Sequence, residues 1–179
     1  MSKQIELRLT GSGGQGLILG GIILAEAAIL EGKNAVQSQS YGPEARGGAS
    51  KAEVIISNEE IDFPKVQKVD LLLVLTQVAC DKYAGDVDED GILLVDSTVI
   101  IPENVKAKKV IQVPILATAH DVIGKPMVAN IIALGAINQL LNIATKESLE
   151  TAVLNRVPKG TEELNRSALT EGYKLIDNK

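Results

Sequence analysis

A glycine-rich loop between a short strand and a long apolar helix constrains this chain more than any other feature. Residues 11–16 read Gly-Ser-Gly-Gly-Gln-Gly and follow an alternating polar and apolar run over residues 4–10, which predicts a strand. Leu17–Leu30 is apolar except for Glu26, so it predicts a largely buried helix. The glycines allow a sharp backbone turn, and free N–H groups at a helix start favour an anionic ligand.

The rest of the pattern predicts an α/β fold, Rossmann-like, with a mostly parallel sheet flanked by helices. Residues 35–57 are the exception, because two strand-like runs are joined there by a turn-rich loop with no room for a helix. They predict an antiparallel excursion at one side of the sheet. No linker or repeat interrupts the pattern, so residues 1–179 are predicted to form a single domain.

Strands and helices follow from hydrophobic runs and periodicity. Strands are predicted at 4–10, 35–39, 50–57, 71–75, 92–95 and 110–113, and helices at 17–30, 77–83, 128–143, 146–156 and 161–177.

The glycine loop satisfies G-x-G-x-x-G, the pattern of dinucleotide-binding folds. That fold also needs an acidic residue about 20 residues further on, at the end of the second strand. The second strand ends in Val36-Gln-Ser-Gln39, and Glu31 lies before it. NAD or FAD binding is therefore disfavoured, and no Lys-Ser or Lys-Thr follows the glycines as a P-loop requires. A tight turn without a ligand and a free-standing nucleotide-binding protein both remain alternatives.

A second loop, residues 40–49, carries the other candidate groups. Its sequence Ser-Tyr-Gly-Pro-Glu-Ala-Arg-Gly-Gly-Ala supplies a phenol, a carboxylate and a guanidinium at Tyr41, Glu44 and Arg46. Loops at the carboxyl ends of adjacent parallel strands meet at one edge, so we expect this loop beside the glycine loop. Arg46 could bind an anionic group or pair with Glu44. An ordinary edge hairpin is the alternative interpretation.

Composition excludes several classes of function. The 18 basic and 23 acidic residues give a net charge of −5 with no basic block, which disfavours nucleic-acid binding. A single cysteine, Cys80, excludes an internal disulfide and an iron–sulfur cluster held by this chain, and favours a cytoplasmic location. The one histidine, His120, disfavours a histidine-rich metal site. The apolar segments 17–30 and 127–144 are poor membrane spans.

The two loops together resemble the gamma subunits of 2-oxoacid:ferredoxin oxidoreductases, the pyruvate/ketoisovalerate oxidoreductase gamma family. The similarity is nearest to the 2-oxoglutarate or ketoacid type. It extends to Asp70–Thr76, Asp96-Ser97 and 114–136, and so spans nearly the whole chain. The beta subunit of indolepyruvate oxidoreductase is similar enough to remain an alternative.

The resemblance implies a subunit of a thiamine-dependent enzyme rather than a catalyst by itself. The family couples oxidative decarboxylation of a 2-oxoacid to coenzyme A and reduces ferredoxin. Thiamine diphosphate, magnesium and iron–sulfur clusters are then expected in alpha, beta and delta partners, because this chain lacks their motifs. The isolated chain is expected to be inactive, with no catalytic residue and no metal ligand of its own. A purely structural subunit is a further alternative.

The resemblance also implies that both loops face the shared active site and contact coenzyme A. The expected cofactor-binding residues are Gly11, Gly13, Gly14, Gln15, Gly16, Tyr41, Gly42, Glu44, Arg46, Gly47 and Gly48.

Three weaker features lie outside the loops. Asn130, Asn138 and Asn142 share one face of the predicted helix 128–143, which favours a subunit interface over a solvated stripe, because a core cannot easily satisfy three amides. His120 is interpreted as a residue at a helix start. Asp96, at a strand end, could cap a loop or face the cleft.

Overall fold

The computed structural model describes residues 4–40 and 48–179 and contains a six-stranded sheet in the order β2-β3-β1-β4-β5-β6. The strands are β1 (Ile5–Ser12), β2 (Asn34–Gln39), β3 (Ala49–Ser57), β4 (Val69–Val74), β5 (Val87–Asp96) and β6 (Lys109–Val113). All six were predicted from the hydrophobic pattern, with ends that differ by a few residues. β5 is longer than its apolar run because residues 88–91, Asp-Glu-Asp-Gly, continue the strand.

Strands β1, β4, β5 and β6 are parallel to one another. β3 is antiparallel to both β1 and β2, so the predicted antiparallel excursion is confirmed. Its form differs from the expectation in one respect: β2 does not lie beside β1, because β3 is inserted between them. The connection through the first helix therefore passes over β3 to reach the outer strand.

Helices cover the two faces of the sheet unequally. The helices are α1 (Leu17–Leu30), α2 (Gln77–Tyr83), a one-turn α3 (Ile115–Ala117), α4 (Ala129–Leu141), α5 (Lys146–Leu154) and α6 (Glu162–Asp177). The main core lies between one face of the sheet and α1, α4, α5 and α6. The opposite face packs on α2 and the loop that follows β5.

The predicted helices are present, and α1 and α2 have the predicted bounds. Short helical turns between β6 and α4 were not predicted. Here α3 continues into a π-helical turn, Thr118–Ile123, followed by a 3-10 turn, Pro126–Val128. His120 therefore lies inside the π turn rather than at a helix start. Among residues 4–40 and 48–179, no helix is long and apolar enough to cross a bilayer.

Candidate functional site

The glycine loop connects the end of β1 to the start of α1 at the carboxyl edge of the sheet. Gly14 and Gly16 have φ values of 87° and 72°, a region that favours glycine because other residues meet a Cβ clash there. Gly13 and Gly14 are exposed, and a Cβ on Gly14 would have no neighbour within 4 Å. The loop thus presents bare backbone at its tip.

Gln15 fastens the loop to β1. Its Oε1 accepts a hydrogen bond of 2.8 Å from the Ser12 backbone N–H. Gly11 is buried within β1, and a Cβ there would lie 2.3 Å from that same oxygen. Gly11 and Gln15, both predicted as cofactor-binding residues, thus set the shape of the loop.

Asn130, on α4, holds the other end of the loop. Its Nδ2 donates to the Gly16 carbonyl oxygen at 3.1 Å, and its Oδ1 accepts from the Ile131 N–H at 2.9 Å. A Cβ on Gly16 would lie 2.5 Å from that Nδ2. Gly16 is therefore required both for its positive φ and for the close approach of Asn130.

Two of the three asparagines on this face of α4 are satisfied inside the chain, so the reason for predicting a subunit interface there is wrong. Asn130 and Asn138 are buried, and Asn138 exchanges two hydrogen bonds of 3.0 Å with the backbone of Ala144. Asn142 ends α4 with φ 51°, a left-handed position that asparagine tolerates. Buried backbone groups at the two ends of α4, invisible in the sequence pattern, satisfy the two amides.

The second loop falls mostly outside the described residues. This holds for Tyr41, Gly42, Glu44, Arg46 and Gly47, whereas Gly48 is described. Both flanks of the loop lie at the glycine-loop edge: Ala49 pairs with Ser12, and the Ser40 N–H donates to Lys51 in β3. The expected proximity therefore arises from the antiparallel pairing of β3 with β1 and not from adjacent parallel strands.

A cleft of about 450 Å³ opens between the glycine loop and the π turn. Gly14 and Gln15 line one side, and His120 and Met127 line the other. Met127 is 77 % exposed. Among the residues that the structure describes around this cleft, His120 alone is ionisable, and its Nδ1 lies 2.6 Å from Asp121 Oδ1. The cleft thus combines the predicted bare backbone of the glycine loop with an exposed thioether and an imidazole that no sequence motif marks.

Asp96 fixes the position of the π-turn region. This buried carboxylate accepts hydrogen bonds from the Leu116 N–H at 2.8 Å and from the Thr98 N–H and hydroxyl at 2.9 and 2.6 Å. Leu116 in turn lines the cleft. Of the two roles considered for Asp96, capping a loop and facing the cleft, the structure therefore shows the capping role.

The residues of this chain do not suit an iron–sulfur cluster. Cys80 is buried on α2, in the cluster on the sheet face opposite the main core, and burial together with the nearby Asp81 charge raises the pKa of its thiol. No group of three potential metal ligands occurs in residues 4–40 and 48–179. A cluster requires about four thiolates.

Comparisons with a family model and with individual proteins agree on one family of oxidoreductases. The family model described as pyruvate ferredoxin/flavodoxin oxidoreductase matches residues 6–175. The 2-oxoglutarate synthase subunit KorC of Methanocaldococcus jannaschii is 53 % identical over 173 residues, which are 95 % of this chain and 92 % of the relative.

Solved structures agree with the fold. The keto/oxoacid ferredoxin oxidoreductase gamma subunit of Geobacter sulfurreducens is 50 % identical, with a TM-score of 0.87 over 98 % of this chain and 99 % of that one. The 2-oxoglutarate:ferredoxin oxidoreductase of Magnetococcus marinus has a TM-score of 0.88 at 19 % identity, covering 99 % of this chain and 32 % of that chain. The latter likeness concerns the fold alone.

Proposed function

Because the chain belongs to the pyruvate ferredoxin/flavodoxin oxidoreductase family, as a gamma-type subunit of a 2-oxoacid:ferredoxin oxidoreductase, we propose that its glycine-loop edge completes a shared active site. Residues 1–179 act as one gamma-type domain in this proposal. The catalytic groups, thiamine diphosphate, magnesium and the iron–sulfur clusters belong to alpha, beta and delta partner subunits of a cytoplasmic complex that reduces ferredoxin. This chain contributes one wall of the shared active site and the backbone hydrogen-bond donors of its glycine loop.

The pairing of Ser12 with Ala49 carries this proposal. It brings the flanks of both glycine-rich loops to one edge of the sheet, next to the cleft. Gln15 and Asn130 hold the glycine loop at both ends, so the exposed backbone at its tip is rigid. Backbone donors that are already held in place bind an anionic or polar group without the entropic cost of ordering the loop.

Coenzyme A and the 2-oxoacid are the ligands that this edge would contact. Both carry anionic groups, and among the cleft-lining residues within 4–40 and 48–179 His120 alone is ionisable. Arg46, on the second loop, is the guanidinium that would bind a carboxylate or phosphate in a planar, bidentate manner. The names of the 2-oxoglutarate synthase relatives support 2-oxoglutarate as the 2-oxoacid.

Substitution of Arg46 in the assembled complex tests this role. Arg46→Ala should raise the KM for coenzyme A or for the 2-oxoacid at least about tenfold, because a charge-assisted hydrogen bond contributes about 1.5–3 kcal/mol. Arg166→Ala is the matched control, since Arg166 lies on α6 and pairs with Glu150 of α5. If Arg46→Ala leaves the affinity for both substrates unchanged, the role assigned to Arg46 is wrong.

A further inference from the structure

The outer strand β2 has an unusually unprotected edge. It lies at one end of the sheet, and its residues Asn34–Gln39 include no charge and no proline. Sheet edges are usually protected by charged residues or proline, because an open edge can pair with another chain. β6, the other outer strand, begins at Lys109 and follows Lys106 and Lys108. β6 thus carries a charged residue within the strand and β2 carries none, and Lys33, which precedes β2, donates to the Ile143 carbonyl.

The free edge of β2 presents backbone groups at Ala35 and Gln37. The Ser40 N–H donates to the Lys51 carbonyl of β3 at 3.5 Å. Because the direction of these groups alternates along a strand, Val36 and Ser38 also face β3, whereas Ala35 and Gln37 face outward. In the part of the chain that the structure describes, no strand lies beyond β2.

Helix α1 extends this surface with an apolar stripe. Ile18, Ile22 and Ile29 lie on one side of the helix at spacings of four and seven residues. Ile18 and Ile22 are half-buried, and Ile29 is 56 % exposed. The only charge on the helix, Glu26, pairs with Arg156 at 3.0 Å. A helix that is apolar on all sides is usually buried, so this stripe lacks a cover in the isolated chain.

The strand edge and the stripe form one surface. A cleft of about 430 Å³ brings Ile29 together with Ala35, Val36 and Ile61, and it is also lined by Lys33, Asn34 and Glu60. The same surface thus offers hydrogen-bonding groups along β2 and apolar side chains beside it. A partner that covers only one of the two would leave the other exposed to water.

We propose that a second copy of this chain docks on this surface, with β2 antiparallel to β2 around a two-fold axis at Val36. In that register, Ala35 of each copy pairs with Gln37 of the other and forms four backbone hydrogen bonds. The two Val36 side chains are directly opposite, a favourable pair of β-branched residues. No like charges meet along the strands, because β2 has none.

The position of α1 is what favours a second copy over an unrelated extended segment. α1 packs about equally over β2 and β3. A helix midway between two strands lies about half a strand spacing inside the outer one. With neighbouring strands about 4.8 Å apart, edge pairing places the two α1 axes about 10 Å apart, which is the distance of packed helices. A second copy thus covers the strand edge and the isoleucine stripe together.

Sedimentation velocity on the purified full chain and its variants tests the interface. The unsubstituted chain should form a dimer with a Kd in the micromolar range or below. Gln37→Pro removes an outward N–H that β3 does not use, so the fold should survive while dimerisation weakens about 100-fold. Ile29→Lys places two like charges at the seam and should weaken it at least about tenfold. Ile100→Lys is the matched control, because Ile100 is an exposed isoleucine on the loop after β5.

Each outcome decides the proposal. A chain that remains a monomer at about 100 μM contradicts it, as does a dimer that Gln37→Pro and Ile29→Lys leave unchanged. If the chain is monomeric and Gln37→Pro instead prevents assembly with partner subunits, a partner strand occupies the edge and the self-pairing is wrong. Circular dichroism checks that each variant is folded, and Ile29→Lys decides the matter if Gln37→Pro does not fold.

Discussion

The contact between Gly16 and Asn130 predicts a strong energetic coupling between two residues 114 positions apart in the chain. Substituting Gly16 by alanine imposes a left-handed φ of 72° on a residue with a side chain, which costs about 1 kcal/mol. The new Cβ would also lie 2.5 Å from Asn130 Nδ2 and displace the amide. The two hydrogen bonds of Asn130 contribute about 1 kcal/mol each, so Gly16→Ala should cost about 3 kcal/mol in total.

A double-mutant cycle separates these terms. Asn130→Ala alone should cost about 2 kcal/mol, the two hydrogen bonds of the buried amide. In that background Gly16→Ala no longer meets the amide and should cost only the backbone term of about 1 kcal/mol. The double variant should therefore lose about 3 kcal/mol instead of the additive 5, a coupling energy of about 2 kcal/mol.

Urea unfolding of the isolated chain, followed by circular dichroism, measures all four corners of the cycle. Asn138→Ala is the matched control, because Asn138 is equally buried on α4 and makes two hydrogen bonds, both to Ala144. Gly16→Ala and Asn138→Ala should be additive within about 0.5 kcal/mol. Equal coupling in both cycles, or none with Asn130, would falsify the account of how the glycine loop is held.

Two further predictions concern the packing of helices. Hydrogen bonds from the Ser148 hydroxyl and then from Thr145 hold the pKa of Glu31 at about 2, against an ordinary value of 4.5. Because this pKa is lowered in the folded state, the stability from Glu31 is full above about pH 4.5 and is lost as the pH falls towards 2. Glu31→Gln should therefore flatten the pH dependence of the urea midpoint in that range, and an unchanged slope would contradict the assignment. Gly172→Ala should cost about 3 kcal/mol, since its Cβ would lie 2.1 Å from a backbone oxygen of α4. Gly85→Ala, with no neighbour within 4 Å, should leave the thermal midpoint nearly unchanged.

The sequence predicted the elements of the fold because their signals are local. α1 is bounded by Gly16 and by the Glu31-Gly32 stop, and the strands are apolar or alternating runs of ordinary length. The π turn over Thr118–Ile123 carries no such periodic signal, so it was missed together with the position of His120. Local patterns also cannot tell whether a strand inserts between two others, as β3 does.

The role of Asn130 could not be predicted, for a different reason. Three regularly spaced amides indicate that one helix face is polar, but they do not reveal which buried backbone groups face them. The partner of Asn130 is a carbonyl left open by the loop at the start of α1, and the partner of Asn138 is the chain just beyond α4. Both follow only from the packing of α4 against the rest of the chain.

The insertion of β3 also explains why the dinucleotide pattern lacks its acidic residue. In a dinucleotide-binding fold the second strand lies beside the first, so an acid at its end reaches a ribose held by the glycine loop. Here β3 separates β2 from β1, which places the ends of β1 and β2 two strand spacings, or about 10 Å, apart. A carboxylate in place of Gln39 would therefore lie too far from a ribose held by the glycine loop. The same insertion brings Gly48 and Ala49 beside Ser12, so the topology that disfavours a dinucleotide also assembles the two-loop edge.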